Sequence, residues 1–182
     1  MLISIALLVY PVLVYMGLSH GYGQQVAYLL GALLLGRLLL ACKHRGLGNW
    51  LVPMSTCGLL VVVGALVQDE PQWLQLYPVV ANLVMALTFF ISLYQQQSMI
   101  ERFARLQEPN LSAQGVRYTR KVTQIWVLFF VLNTAVSGYT VYLADMKIWT
   151  LYNGLIAYIL MGTLGACEYG YRYWLKRQGR LV

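Results

Sequence analysis

Charged side chains are scarce in this sequence of 182 residues, and acidic ones are scarcest. Asp, Glu, Lys and Arg together make up 10% of the chain, only six residues are acidic, and hydrophobic residues make up 59%. Soluble globular domains are about 25% charged and about 45–50% apolar. So few charges cannot cover the surface of a soluble domain of this size. The composition therefore excludes an ordinary soluble enzyme and predicts a chain whose solvent is the lipid bilayer.

Cysteine and histidine are also sparse, which argues against a disulfide framework and a metal site. The three cysteines, Cys42, Cys57 and Cys167, lie in or at the ends of apolar runs and form no Cys-x-x-Cys pair. His20 and His44 fall in loops expected on opposite sides of the membrane. The usual nucleophile, phosphate-loop, dinucleotide and zinc-protease motifs are missing. The sequence thus predicts a protein that is not an enzyme, with no catalytic residue, no cofactor and no metal.

Long apolar runs are what the sequence has in abundance. A membrane-spanning helix needs about 20 mostly apolar residues. Runs of roughly this length, separated by short stretches rich in Gly, Pro and polar residues, occupy residues 2–18, 26–42, 50–67, 76–94, 125–144 and 149–171. The first run has no basic residue before it and no clear cleavage site after it, so we predict a retained helix rather than a signal peptide. The predicted fold class is an all-α polytopic membrane protein, with one transmembrane domain over residues 1–182 and six transmembrane helices.

The positions of the basic residues predict how these helices are oriented. Eleven of the 13 Lys and Arg residues lie in the loops and tail of one side, whereas Lys147 alone lies in a loop of the other side. Lys and Arg are retained in cytoplasmic loops, so both termini are predicted to be cytoplasmic. The net charge of +7 then reflects this bias and an attraction to anionic lipid headgroups. A nucleic-acid partner is not expected.

The longest connection, residues 95–124, carries an amphipathic pattern outside the predicted spans. Met99, Ile100, Phe103 and Leu106 recur at helical spacing, which predicts one interfacial helix on the cytoplasmic surface before Pro109. The same pattern places Glu101 with Arg102 and Arg105 on the opposite, polar side. This segment is either a connector that lies along the membrane or a docking surface for a cytoplasmic enzyme or a cell-division (divisome) partner. The candidate docking residues are Arg102, Arg105, Arg117, Arg120 and Lys121.

Two ionisable residues, Arg37 and Glu168, lie inside predicted spans at similar depth near their cytoplasmic ends. Ionisable groups at membrane depth are energetically unfavourable and point to function. Our hypothesis is that the two pair or share a hydrated vestibule. The alternative is that Arg37 extends to the headgroups and that Glu168 meets Arg172, one helical turn away.

Polar and small residues form stripes on the last two spans. Asn133 begins a polar stripe continued by Ser137 and Thr140, and Asn153 lies in the last span. Such a stripe either lines a path for a polar group or holds the bundle together by interhelical hydrogen bonds. Arg37, Glu168, Asn133 and Asn153 make up the candidate intramembrane polar site. Gly162, Ala166 and Gly170 recur every four residues and predict close helix packing, within the bundle or with a second copy in a homo-oligomer.

Several motifs resemble those of known families. Val67-Gln-Asp-Glu-Pro-Gln-Trp73 and Trp126-Val-Leu-Phe-Phe-Val-Leu-Asn133 resemble the intracellular septation protein A family of small bacterial inner-membrane proteins. The stretches at residues 115–123 and 149–162, with Glu168-Tyr169, are more similar to an uncharacterised inner-membrane family found in aryl polyene gene clusters. The septation proteins largely lack the connector at residues 107–121, so the second resemblance is the more informative.

The resemblance implies a protein of the bacterial inner membrane and supplies no catalytic residue. The function it suggests first is a non-enzymatic accessory or scaffold protein in cell-envelope or aryl-polyene-type lipid biogenesis. Its partners would be anionic lipid headgroups and other inner-membrane or cytoplasmic lipid-biosynthesis proteins. One alternative is a small lipid or small-molecule transporter or flippase that uses the intramembrane polar site. Another is a septation or envelope-morphogenesis factor that acts through other membrane proteins.

Overall fold

The computed structural model describes residues 10–43 and 51–178, and these two stretches are helical almost throughout. They form α1 (Tyr10–Ser19), α2 (Gly23–Lys43), α3 (Leu51–Val67), a 3-10 helix (Pro71–Leu76), α4 (Tyr77–Ser92), α5 (Met99–Gln107), α6 (Ala113–Tyr142), α7 (Met146–Leu151), a π-helical segment (Tyr152–Ile156) and α8 (Ala157–Arg177). No strand occurs within these stretches. The predicted all-α class is confirmed for them.

Four helical stretches are long and apolar enough to cross a membrane, as judged by length and composition. They are Gly23–Cys42, Pro71–Ser92, Ala113–Tyr142 and Met146–Arg177. Two shorter apolar helices, Tyr10–Ser19 and Val52–Val67, accompany them. The first residues of the predicted runs 2–18 and 50–67 lie outside the described residues, as do His44, Arg45 and Arg180. The chain is thus a helical protein whose apolar helices suit a membrane.

The last two long helices begin earlier than the apolar runs predicted. The fifth apolar run predicts a span over residues 125–144, yet α6 begins at Ala113. Together, α5 and α6 therefore take up most of the predicted connector at residues 95–124. Ser112 caps this start by accepting a hydrogen bond from the Gly115 amide at 3.2 Å. Asp145 caps α7 in the same way, through the Lys147 amide at 2.8 Å. A hydropathy profile detects only the apolar part of a helix. It therefore misses polar first turns, even where a capping residue stabilises them.

The apolar core has two parts. One surrounds Trp149 and Leu74, where α1, α2, α3 and the 3-10 helix meet the start of α7. The other surrounds Phe89 and Phe130, where α4 packs along α6. Met99 of α5 belongs to this second part. Packing within these two clusters holds the long helices together.

A helix, α5, forms where the interfacial helix was predicted, but its apolar side chains are divided between the core and the outer side. Met99 packs into the core, whereas the Phe103 and Leu106 side chains are 39% and 60% exposed on the outer side. Glu101, predicted to lie on the solvent side, is instead buried, with 3% exposure. The reason is that α5 lies against α6, where the Thr123 hydroxyl accepts a hydrogen bond from the Ile100 amide at 3.3 Å. Contact with α6 therefore decides which face of α5 is buried, and Phe103 and Leu106 stay exposed.

Gly58 of α3 allows three helices to approach closely, and replacing it by alanine is expected to destabilise the fold by about 1–3 kcal/mol. A methyl group there would lie 2.8 Å from Tyr77 Cε2 and 3.0 Å from Leu34 Cδ1. Unfolding by SDS in mixed micelles measures the change. Gly138→Ala is the matched control, because a methyl group at Gly138 meets nothing within 4 Å. Equal stability of the two variants would contradict the close approach.

Candidate functional site

A cavity of about 380 Å³ lies inside the bundle, between residues of α1, α2, α3, α4, α6, the π-helical segment and α8. Its walls are mostly apolar and aromatic. The polar lining consists of the Arg37 guanidinium, the amides of Asn82, Asn133 and Asn153, and tyrosines. Three of the four residues predicted as the intramembrane polar site, Arg37, Asn133 and Asn153, therefore line one cavity.

A first hydrogen-bond network crosses the cavity wall from α4 to α6 and the π-helical segment. The Asn133 side-chain amide donates to Asn82 Oδ1 at 2.9 Å. The Tyr152 hydroxyl donates to Asn133 Oδ1 at 2.6 Å. Asn82 itself donates to the Pro78 carbonyl at 2.8 Å, one turn back along its helix. Asn133 thus joins three elements at the cavity wall.

A second network lies next to it and joins α6 to the last long helix. The Ser137 hydroxyl donates to Asn153 Oδ1. Asn153 Nδ2 donates to Thr140 Oγ1 at 3.2 Å and to the Trp149 carbonyl at 2.9 Å. All these side chains are buried. The stripe of Asn133, Ser137 and Thr140 therefore makes interhelical hydrogen bonds, and only its Asn133 also lines the cavity.

The π-helical segment is what brings Tyr152 and Asn153 to these two networks. It interrupts a continuous helix from Met146 to Arg177 at Tyr152–Ile156. A π-turn inserts one residue into the helical register and is frequent at functional sites. Here the residues of the segment carry hydrogen bonds to α6 on one side, and Asn153 lines the cavity on the other.

Arg37 supplies the positive charge of the cavity. It lies in the second half of α2, and its Nη2 is 3.9 Å from Met54 Sδ. The hydroxyls of Tyr77 and Tyr158 belong to residues of the same lining. A cation, several amides and aromatic walls make a site that suits a polar or anionic group joined to an apolar body.

Glu168, the fourth predicted residue, lies elsewhere. Its carboxylate accepts a hydrogen bond from the Tyr118 hydroxyl at 3.3 Å. It also lies 3.9 Å from Arg172 Nε, its neighbour one turn along α8. Glu168 lines a second cavity, between α6 and α8, and Arg37 does not. The structure favours the alternative in which Glu168 meets Arg172.

The five candidate docking residues divide into two groups. Arg105 donates to Glu101 Oε1 at 2.8 Å and to the Pro109 carbonyl at 2.9 Å. Arg102 donates to the Gln97 carbonyl at 3.3 Å, and Arg120 donates to the Leu93 carbonyl at 2.8 Å. These three guanidinium groups bind the chain itself at the corner between α4, α5 and α6. The other two candidates, Arg117 and Lys121, are exposed and line the cavity between α6 and α8.

Sequence reasoning missed Asn82 and Tyr152 of the hydrogen-bond networks, as well as the cavity-lining Tyr77 and Tyr158. Asn82 is the one amide in the predicted span at residues 76–94, and an amide inside an apolar run was a usable signal. Tyr152 carried no such signal, because the chain has 14 tyrosines and nothing in the pattern separates this one. Its role depends on the π-helical register.

The small residues of α8 do not pack against the rest of the described chain. Gly162, Ala166 and Gly170 are exposed, and a methyl group built at either glycine meets nothing within 4 Å. The predicted close packing of this face within the bundle is therefore not found among residues 10–43 and 51–178. Packing against a second copy stays a prediction.

Within the part of the chain that the structure describes, no group of three or more His, Cys, Asp or Glu residues could hold a metal ion. No protein-family model, no curated protein and no solved structure matches the chain. The resemblances noted in the sequence therefore stay predictions.

Proposed function

We propose that this protein is a six-helix inner-membrane protein that binds an amphiphilic molecule in the Arg37 cavity and carries it across or out of the membrane. In this proposal both termini are cytoplasmic and no chemical step is catalysed. The observation that carries the proposal is the cavity itself, which joins Arg37 to Asn82 and Asn133 inside a bundle of apolar helices. Support for the orientation comes from the excess of basic residues on one side.

The chemistry of the lining indicates the class of ligand. A guanidinium binds phosphate or carboxylate through two parallel hydrogen bonds, and the amides can donate to or accept from neighbouring polar groups. The apolar walls suit an acyl or polyene chain. The cavity volume of about 380 Å³ accommodates a headgroup or part of a chain rather than a whole lipid. A lipid-like molecule with an anionic group could contact the guanidinium, the amides and the apolar walls of this lining at the same time.

This proposal gives more weight to transport than to the accessory role suggested by the sequence. Arg102, Arg105 and Arg120 are held by acceptors of the chain itself, which weakens a docking surface for soluble enzymes. The resemblance to the aryl polyene family still suggests the pathway. We therefore propose an aryl-polyene-type or related envelope lipid as the cargo.

The test combines gene deletion with separate lipid analysis of the inner and outer membranes by mass spectrometry. We expect one polar lipid species to accumulate in the inner membrane of the deletion strain, and wild-type protein to reverse this. Arg37→Gln, expressed at the wild-type level, should lower outer-membrane delivery at least about tenfold, because the cation that fixes the anionic group is lost.

Matched variants make this result specific. Arg177→Gln removes an exposed cation that lies outside the cavity and should complement fully. Complete absence of the lipid from both membranes would favour the accessory role in assembly. Unchanged lipids with filamentous cells would favour the septation role. Full complementation by Arg37→Gln would overturn the proposal.

A further inference from the structure

A second cavity, a groove of about 830 Å³, opens between the first half of α6 and the second half of α8. It is open along one side, and its lining shares no residue with the lining of the Arg37 cavity. We call it the α6–α8 groove, and its walls are formed chiefly by Arg117, Lys121, Ile125, Trp126, Leu164 and Glu168.

The groove is cationic at one end and apolar at the other. Arg117 and Lys121 lie one turn apart on α6, and Ile125 follows one turn later. Eight residues of helix separate Arg117 from Ile125, a rise of about 12 Å. Trp126 and Leu164 complete the apolar end. The polarity thus changes along the groove over the length of a headgroup and the first part of an acyl chain.

This change of polarity lies at the boundary of the apolar part of α6. The helix is polar up to Lys121 and mostly apolar from Val122 onward. Trp126 lies one turn inside this boundary, where tryptophan is enriched at membrane interfaces. One leaflet of hydrocarbon is about 15 Å thick. The groove therefore runs from headgroup level into the hydrocarbon of one leaflet.

The charges of the groove favour an anion. No hydrogen bond or ion pair from the described residues occupies Arg117 or Lys121, in contrast to the engaged Arg102, Arg105 and Arg120. The one carboxylate in the lining, Glu168, is offset by Arg172 at 3.9 Å and accepts from the Tyr118 hydroxyl. Two cations that no acceptor of the described residues engages thus lie at the polar end of the groove.

We propose that the α6–α8 groove binds one anionic phospholipid of the surrounding bilayer. Its phosphate lies between Arg117 and Lys121, and one acyl chain follows Ile125, Trp126 and Leu164. The site is separate from the Arg37 cavity and does not depend on the proposed cargo. It depends only on the chain lying in a membrane, with the positive end of the groove at the headgroups.

The experiment is native mass spectrometry of the full chain in detergent, titrated with phosphatidylglycerol or phosphatidylcholine. We expect one tightly held phosphatidylglycerol per chain and no comparable phosphatidylcholine. Arg117→Gln combined with Lys121→Gln should weaken phosphatidylglycerol binding about 30-fold, since each Lys or Arg near a headgroup contributes roughly fivefold.

Matched variants separate the groove from general electrostatic attraction. Lys147→Gln combined with Arg177→Gln removes the same charge from exposed positions outside the groove and should retain the lipid. Leu164→Trp fills the apolar end without changing the charge and should also lower the affinity. Thermal unfolding of each variant shows that the fold is kept. Arg37→Gln should leave this lipid bound, so failure of the proposed transport function and failure of this site are distinguishable.

Three outcomes would overturn the assignment. Equal loss of lipid in the control pair would mean unspecific attraction. Displacement by soluble glycerol phosphate would mean a site for free phosphate esters, because that compound has no acyl chain. A dimer that persists without lipid and disappears in the Arg117 and Lys121 double variant would assign the groove to a second copy of the chain.

Discussion

Replacing Trp149 by alanine is expected to destabilise the folded protein by about 3–5 kcal/mol, the range for a fully buried tryptophan. The Trp149 side chain has 0% exposure. Its indole N–H donates to the Gln75 carbonyl at 3.1 Å, and its ring lies against Tyr10 with centroids 6.5 Å apart. Alanine leaves a cavity where α1, α7 and the 3-10 helix meet and removes the donor of a buried carbonyl.

SDS titration in mixed micelles measures this loss, with Trp174→Ala as the control. Trp174 lies on the same long helix but is 48% exposed, so its truncation should change stability by less than about 1 kcal/mol. Trp149→Phe keeps most of the packing and loses only the hydrogen bond, so it should fall between the two. Equal stability of the two alanine variants would show that Trp149 does not join these helices.

Arg105→Leu should destabilise the protein by about 2–3 kcal/mol, less than the loss of a fully buried ion-pair partner. Glu101 is 3% exposed, and both Nε and Nη2 of Arg105 bind its Oε1, at 2.9 and 2.8 Å. Without the arginine, the buried Glu101 carboxylate loses its ion-pair partner. Solvent screens this pair in part, because the Arg105 side chain is 28% exposed.

A second ion pair in the same region provides the control. Lys176 and Glu108 are also close, at 2.7 Å, but their side chains are 47% and 42% exposed. Lys176→Leu should therefore change stability by less than about 1 kcal/mol. Combining Glu101→Leu with Arg105→Leu should restore much of the loss, because the uncompensated charge is gone. If Arg105→Leu had no larger effect than Lys176→Leu, Arg105 would be free to act as a docking residue.

The helical class and the approximate places of the long helices were predictable from the sequence. The reason is that an apolar run of about 20 residues between polar separators is typical of a membrane-spanning helix and of few other structures. The boundaries were less predictable. Ser112 and Asp145 are good capping residues and could have marked the helix starts. Hydropathy alone predicts the start of α6 twelve residues too late, because this helix begins with polar turns.

The site was predictable only in part. Arg37, Asn133 and Asn153 were found as polar residues in apolar runs, and they do line one cavity. Asn82 could have been found by the same signal. Glu168 met the same criterion and lies in the α6–α8 groove, and Glu101 looked solvent-facing and is buried. A pattern along one helix gives the face on which a residue lies, not the element that this face meets.

The lengths of the apolar runs are enough to show that this chain forms apolar helices suited to a membrane, and polar residues within those runs include most of the polar groups of the interior. Which of those groups share a cavity, which cations bind the chain itself and which are exposed depends on how the helices pack. Lipid and the bundle interior are about equally apolar, so hydropathy does not distinguish a lipid-facing stripe from a helix-facing one. That choice depends on complementary packing and on paired hydrogen bonds, such as those of Asn133 with Asn82 and Tyr152, which exist only once the helices have met.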